Sequence, residues 1–93
     1  MALFVLTYGY NDTPLRAECR DDHLAHLNKL FEQGNLVAAG PYTDLTAGMI
    51  VLQAEDETAA QALVDQDPYT RLQVTRDRQL RQWRVTVGSL GSG

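Results

Sequence analysis

Apolar and polar positions first fall into a period of two. Over Ala2–Tyr10, Leu3, Val5 and Thr7 point one way while Phe4, Leu6, Tyr8 and Tyr10 point the other, as in a β-strand. Both faces are largely apolar. Helices of the same chain can cover one face; the other must be covered by something else or stay wet. Asn11-Asp12-Thr13-Pro14 then reads as a turn and a helix start, with Thr13 as N-cap and Pro14 at the first helical position.

From Pro14 to Gln33 the spacing becomes helical. Steps of about 100° place Arg20, Leu24, Leu27 and Phe31 in one stripe, with Ala17 and Leu30 at its margins. His23 falls at the stripe's edge, at a boundary between core and cleft. His26 falls further round, toward solvent. Gly34-Asn35 supplies the helix end.

Leu36–Ala39 begins a second strand, which Gly40-Pro41 interrupts. Proline cannot donate to a ladder, so an edge or a strand end is expected there. Gly40 permits close approach of backbone. Residues 43–48 form a connecting loop or hairpin. Met49–Ala54 is a third strand, with Ile50, Leu52 and Ala54 on one face and Met49 and Val51 on the other.

Asp56 is expected to cap a second helix, about 57–66, whose apolar stripe is Ala60, Leu63 and Val64 with Ala59 beside it. The next position along the stripe is Asp67, and Pro68 disfavours helical geometry there. A carboxylate thus sits on the core side of a helix C-terminus, where the dipole is unfavourable to its charge. It needs a partner: a cation, a histidine, or amides of the next turn. Residues 69–76 read as a further turn of helix. Residues 77–87 read as a fourth strand, with Leu80, Gln82, Arg84 and Thr86 on one face and Arg81, Trp83, Val85 and Val87 on the other.

The order is β-α-β-β-α-β, a ferredoxin-like α+β arrangement with an antiparallel sheet and two helices on one face. The apolar second face predicts a partner sheet, and the simplest partner is a second copy packed about a two-fold axis, giving a homodimer. One domain over residues 1–87 is expected, then a flexible Gly/Ser-rich tail over 88–93.

Composition narrows the function classes. A chain of 93 residues makes one compact domain. A net charge of −4 without a basic run argues against nucleic acid as a partner. The late arginines (Arg71, Arg76, Arg78, Arg81, Arg84) alternate with acids, Gln and apolar residues, the pattern of a solvated strand face. No apolar run is long enough to span a membrane. The single cysteine, Cys19, excludes an internal disulfide and fits a reducing compartment. The first residues show neither a basic leader nor a cleavage site, so a cytoplasmic location is expected. One Cys and two His at these spacings suggest no metal site, and no glycine-rich phosphate loop is present, so neither metal nor cofactor is expected.

Four pieces together are similar to a known family: Arg20-x-x-His23-Leu24, Gly40-Pro41, Ala59-x-x-Ala62 and Asp67-Pro68-Tyr69. In this order they resemble the YciI-like (YCII-related) family, over Ala2 to about Val87. The resemblance implies a dimeric α+β barrel with a cleft lined by a histidine and an aspartate. Carried onto this chain these are His23 and Asp67, with Gly40, Pro41 and Tyr69 in the same cleft and Arg20 as a weaker correspondence. Residues 42–48 are shorter than the glycine-rich segment many members carry. The wider superfamily includes muconolactone isomerase-like enzymes, dehalogenating lyase-like enzymes and cofactor-free oxygenases, so fold alone does not choose a reaction.

Each candidate has a plainer reading. His23 could merely pack; its place at the stripe edge and the resemblance favour a site role. Asp67 could cap the turn begun at Pro68, and both roles can hold at once. Cys19 and His23 are four apart, as a Cys–His nucleophile pair could be, but nothing in the sequence activates the thiol and packing is favoured. His23 and His26 could share a metal, but no further ligand is evident. Tyr8, Tyr10, Tyr42 and Tyr69 could line a pocket for an unsaturated ring. Two functions follow. One is a cofactor-independent lyase or isomerase, with His23 as base held by Asp67 and Tyr69 orienting a small substrate. The other is a non-catalytic ligand-binding or assembly module of the same fold, in which the cleft binds a small anion or metabolite or the dimer supports a larger enzyme.

Overall fold

The structure, a computed structural model, describes residues 1–90. Four strands form one antiparallel sheet: β1 (Ala2–Tyr10), β2 (Leu36–Pro41), β3 (Ala47–Ala54) and β4 (Thr75–Trp83), in the order β2-β3-β1-β4. The helices are α1 (Leu15–Glu18), α2 (Arg20–Glu32), α3 (Glu57–Asp65) and α4 (Pro68–Arg71). This is the ferredoxin-like α+β architecture of the dimeric α+β barrel fold. The apolar strands β1 and β3 take the centre, and β2, with Gly40-Pro41, lies at an edge.

Register follows from the alternation of side chains. Phe4 pairs with Leu52 and Leu6 with Ile50, which puts these four on one face. They meet Leu27 and Leu30 of α2 and Ala60 and Val64 of α3 in the main core. Phe4 and Leu52 are each 1% exposed; truncating Leu52 to alanine costs about 2–5 kcal/mol. Asp56 caps α3, its side chain accepting the Ala59 amide at 2.8 Å. A second, smaller cluster of Cys19, Tyr69 and Val74 lies under α1 and α4. Asn11 fastens this end: its amide N–H donates to the Val74 carbonyl (2.9 Å) and its side chain to the Gln73 carbonyl (2.7 Å).

Several expectations need correction. The long first helix is two, broken at Cys19 (φ −105°, ψ 11°), whose side chain turns inward onto Tyr69 and Val74. The buried line on the helical face is Cys19, His23, Leu27 and Leu30, not the stripe through Leu24 and Phe31. Those two are 36% and 61% exposed, and Arg20 is exposed as well. The line was missed because a stripe of apolar side chains alone leaves out a histidine whose polar atom has a buried partner. The N-cap of α1 is Pro14, without a side-chain cap bond, rather than Thr13, whose Oγ1 accepts the Leu15 amide (3.2 Å) from one residue further out. The second strand runs through Gly40 to Pro41. The fourth runs over Thr75–Trp83 rather than 77–87, with a bulge opposite Tyr8 where Asp77 takes φ 52°. Of the expected tail 88–93, residues 91–93 lie outside the described residues, and Leu90 is half-buried beside the chain's first residues.

Candidate functional site

Asp67 is placed by two helix ends. Its amide donates to the Val64 carbonyl (3.1 Å), which closes α3. Pro68 then holds it extended (φ −69°, ψ 127°), so it becomes the N-cap of α4 and its Oδ1 accepts the Tyr69 amide at 2.9 Å. The carboxylate therefore faces the first amides of α4 as well as the end of α3.

His23, forty-four positions away, reaches the same carboxylate. Its Nδ1 donates to Asp67 Oδ1 at 2.8 Å and Oδ2 at 3.0 Å. An ionised carboxylate only accepts, so the proton of this bond is on Nδ1. Both residues are buried, His23 at 7% and Asp67 at 4% exposure. The imidazole also lies flat on the Tyr69 ring, 3.8 Å between centroids and 2° between planes. Asp67 fixes the ring edge and Tyr69 its face. The Tyr69 hydroxyl donates to the Arg16 carbonyl at 2.9 Å, which secures the stack to α1. Nε2 of His23 makes no such bond. Among the described residues no fully buried side-chain nitrogen or oxygen lacks a partner, so Nε2 is open to whatever enters.

It opens on a cavity of about 170 Å³. His23, Leu24 and Leu27 of α2 and Ala39, Gly40 and Pro41 of β2 line it, together with Tyr8, Tyr10 and Tyr69 and the two arginines Arg16 and Arg20. A dry cavity of about 150 Å³ holds benzene, so this one suits a single small ring. Larger hollows, about 360 Å³ near Gly88–Leu90 and about 370 Å³ on the open sheet face, contain neither His23 nor Asp67.

Arg20, His23, Gly40, Pro41 and Tyr69 share the cavity wall, while Asp67 is bonded to His23 from behind and does not line it. Tyr42 is 47% exposed and is not among the lining residues. His26 is half-buried rather than fully solvated: its Nε2 donates to the Leu63 carbonyl of α3 at 3.1 Å. Arg16 was not anticipated; its i, i+4, i+7 spacing with Arg20 and His23 was the available signal. Burial pushes the Cys19 thiol up, which keeps it protonated and packed. Burial likewise raises the Tyr8 phenol, chiefly, with Tyr10 and Asp67 adding to the effect, so Tyr8 remains a neutral hydroxyl. Among the described residues there is no group of three or more His, Cys, Asp or Glu able to hold a metal. No helix among them is long and apolar enough to cross a membrane.

A ferredoxin-like domain of the dimeric α+β barrel fold, with a buried His–Asp pair beside a ring-sized cavity, is the class the fold and site define. The chain belongs to the YCII-related family, whose domain model matches residues 1–84. No curated protein matches it. Among solved structures it is similar to 5-chloro-2-hydroxyhydroquinone dehydrochlorinase (TftG) from Burkholderia phenoliruptrix AC1100, in complex with 2,5-dihydroxybenzoquinone. The TM-score is 0.76 at 20% identity, over 88% of this chain and 93% of that one.

Proposed function

We propose that the protein is a small cofactor-independent lyase or isomerase in which His23 is the base and Asp67 holds it. The observation that carries this reading is the His23 Nδ1 bond to both oxygens of Asp67, with Nε2 left unengaged at the cavity. Nε2 takes a proton from a C–H or O–H conjugated to a carbonyl of a small ring, and the electron pair moves into the ring. In elimination that pair expels a leaving group such as chloride, and the imidazolium later gives its proton to water, so the net loss is HX. In isomerisation the imidazolium returns the proton at another position. Asp67 steadies the imidazolium in both cases. Tyr69 keeps the ring in register, while Arg20, Gly40 and Pro41 belong to the walls that hold the substrate. The fold likeness to a dehydrochlorinase makes hydroxylated chloro-rings the first substrates to try.

The reading includes a homodimer. Val5, Thr7, Met49, Arg81 and Trp83 surround a hollow on the sheet face away from the helices, and Met49 and Trp83 are 38% and 42% exposed. A second copy covers this face.

The test is a panel of chlorinated hydroxyhydroquinones and small lactones, followed in D2O by chloride release and by proton NMR for deuterium wash-in. The wild type is expected to turn over at least one compound, and His23→Ala to lose that activity. Binding without turnover across the panel reduces the site to the ligand-binding module. Turnover that survives His23→Ala at the wild-type level removes His23 as the base.

A further inference from the structure

We propose that the cavity selects a small ring bearing a negative charge, and that Arg16 is the residue that selects it. The inference rests on reading the cavity as a substrate site; it concerns the charge of the ligand and not the reaction.

Arg16 is held at both ends. Its carbonyl accepts the Tyr69 hydroxyl at 2.9 Å, which ties its main chain to the His23–Tyr69 stack. Its guanidinium carbon stands 3.5 Å from the centre of the Tyr10 ring, and Tyr10 is met edge-on by Tyr8 with centroids 5.5 Å apart. A long flexible side chain is thereby fixed before any ligand arrives.

Among the described residues the guanidinium has no ion-pair partner. The two ion pairs among the described residues are His23–Asp67 and Arg76–Asp77, so neither Arg16 nor Arg20 is paired. Asp67, a buried carboxylate close to the cavity, is already bonded to His23 and to the Tyr69 amide. Two unpaired arginines therefore line one small cavity in a chain of net charge −4. Packing on Tyr10 explains where the Arg16 side chain lies, but it gives the N–H fork no oxygen acceptor, and no ion pair among the described residues does so. That fork matches a planar oxyanion, a ring carboxylate or an ionised ring hydroxyl. The volume of about 170 Å³ limits the ligand to one ring with small substituents.

The experiment is a pair of NMR titrations with benzoate and benzamide, which share shape and differ in charge. Wild-type protein is expected to bind benzoate at least about tenfold tighter than benzamide, as a charge-assisted pair requires. Arg16→Gln should remove that preference while leaving benzamide binding in place, and Arg16→Lys should keep part of it. Amide spectra report whether each variant is folded; if Arg16→Gln is not, the decline of wild-type benzoate affinity with rising salt stands in for it. Equal affinity for the two probes, or no binding of benzoate at millimolar concentration, overturns the proposal. So does an equal loss of both probes in folded Arg16→Gln, which marks a packing role. Selective benzoate binding without turnover of any substrate leaves this inference standing and counts against the proton-transfer reading. His23-dependent turnover without anion preference does the reverse.

Discussion

The Tyr69 ring lies parallel to the His23 imidazole at 3.8 Å, and the same three-residue segment, Asp67-Pro68-Tyr69, supplies the carboxylate that binds the imidazole edge. One turn of chain thus fixes the histidine in two directions. Tyr69→Phe keeps the stack and loses only the bond to the Arg16 carbonyl, a loss of about 1 kcal/mol. Tyr69→Leu also loses the aromatic contact, about a further 0.5–1.5 kcal/mol, and frees the imidazole to tilt. Urea unfolding measures both steps. If the two variants are equally stable, the stack contributes nothing.

Gly48 lies directly under Tyr8. A Cβ there would stand 2.5 Å from Tyr8 Oη and 2.6 Å from Cζ, and Tyr8 is only 5% exposed. Gly48→Ala therefore has to displace a packed ring at the cavity, at a cost of about 1–3 kcal/mol. Gly40 lines the same cavity, yet a Cβ there meets nothing within 4 Å. Gly40→Ala should unfold close to the wild type. Thermal melts of the two variants side by side check the contrast.

Alkaline stability follows from the buried phenols. Burial is the main cause that raises both Tyr8 and Tyr69 above the ordinary value of 10.0. The unfolded chain releases these protons near that pH while the folded chain keeps them. The folded state then binds more protons, and the unfolding free energy falls as pH rises. Stability from this source is complete below about pH 10 and declines above it. Tyr8→Phe should make the decline shallower, by up to about 1.4 kcal/mol per pH unit. Denaturation midpoints from about pH 9 to about pH 11 report the slope. Equal slopes for the two proteins contradict the account of Tyr8.

Much of this was readable in the sequence. The alternation in β1 and β3, the Asp56 cap and the Asp67-Pro68 break give the element order and the ferredoxin-like arrangement. The pairing of His23 with Asp67 was expected partly because a carboxylate at that place needs a partner. The kink at Cys19 was not readable, because an apolar stripe cannot show that a thiol and a histidine take the inner line while Leu24 and Phe31 face out. Arg16 was missed because an arginine in a first turn reads as solvated. Its contact to Tyr69 joins positions 53 apart in the chain, and its contact to Tyr10 depends on how the turn after β1 folds back. The end of β4 was overrun because Val85 and Val87 continue an alternation that the sheet no longer uses.

The sheet face carrying Val5, Met49 and Trp83 is the proposed dimer contact. Sedimentation at micromolar concentration should show a dimer. Val5→Lys, which buries a charge in the contact, should shift it to monomer without unfolding the domain. A wild type that is strictly monomeric at that concentration removes the sheet-to-sheet packing.

The measurement that bears most directly on the central claim is the rate of one turned-over substrate in His23→Gln, Asp67→Asn and the double variant. Asparagine can still accept the Tyr69 amide and so keep the α4 cap, but it removes the charge that steadies the imidazolium. Acting as a unit, the pair predicts that each single change lowers the rate by about 10²–10⁴-fold and that the double variant is no worse than the worse single one. Rates at the wild-type level in both folded single variants would contradict the claim that His23 and Asp67 carry the proton transfer.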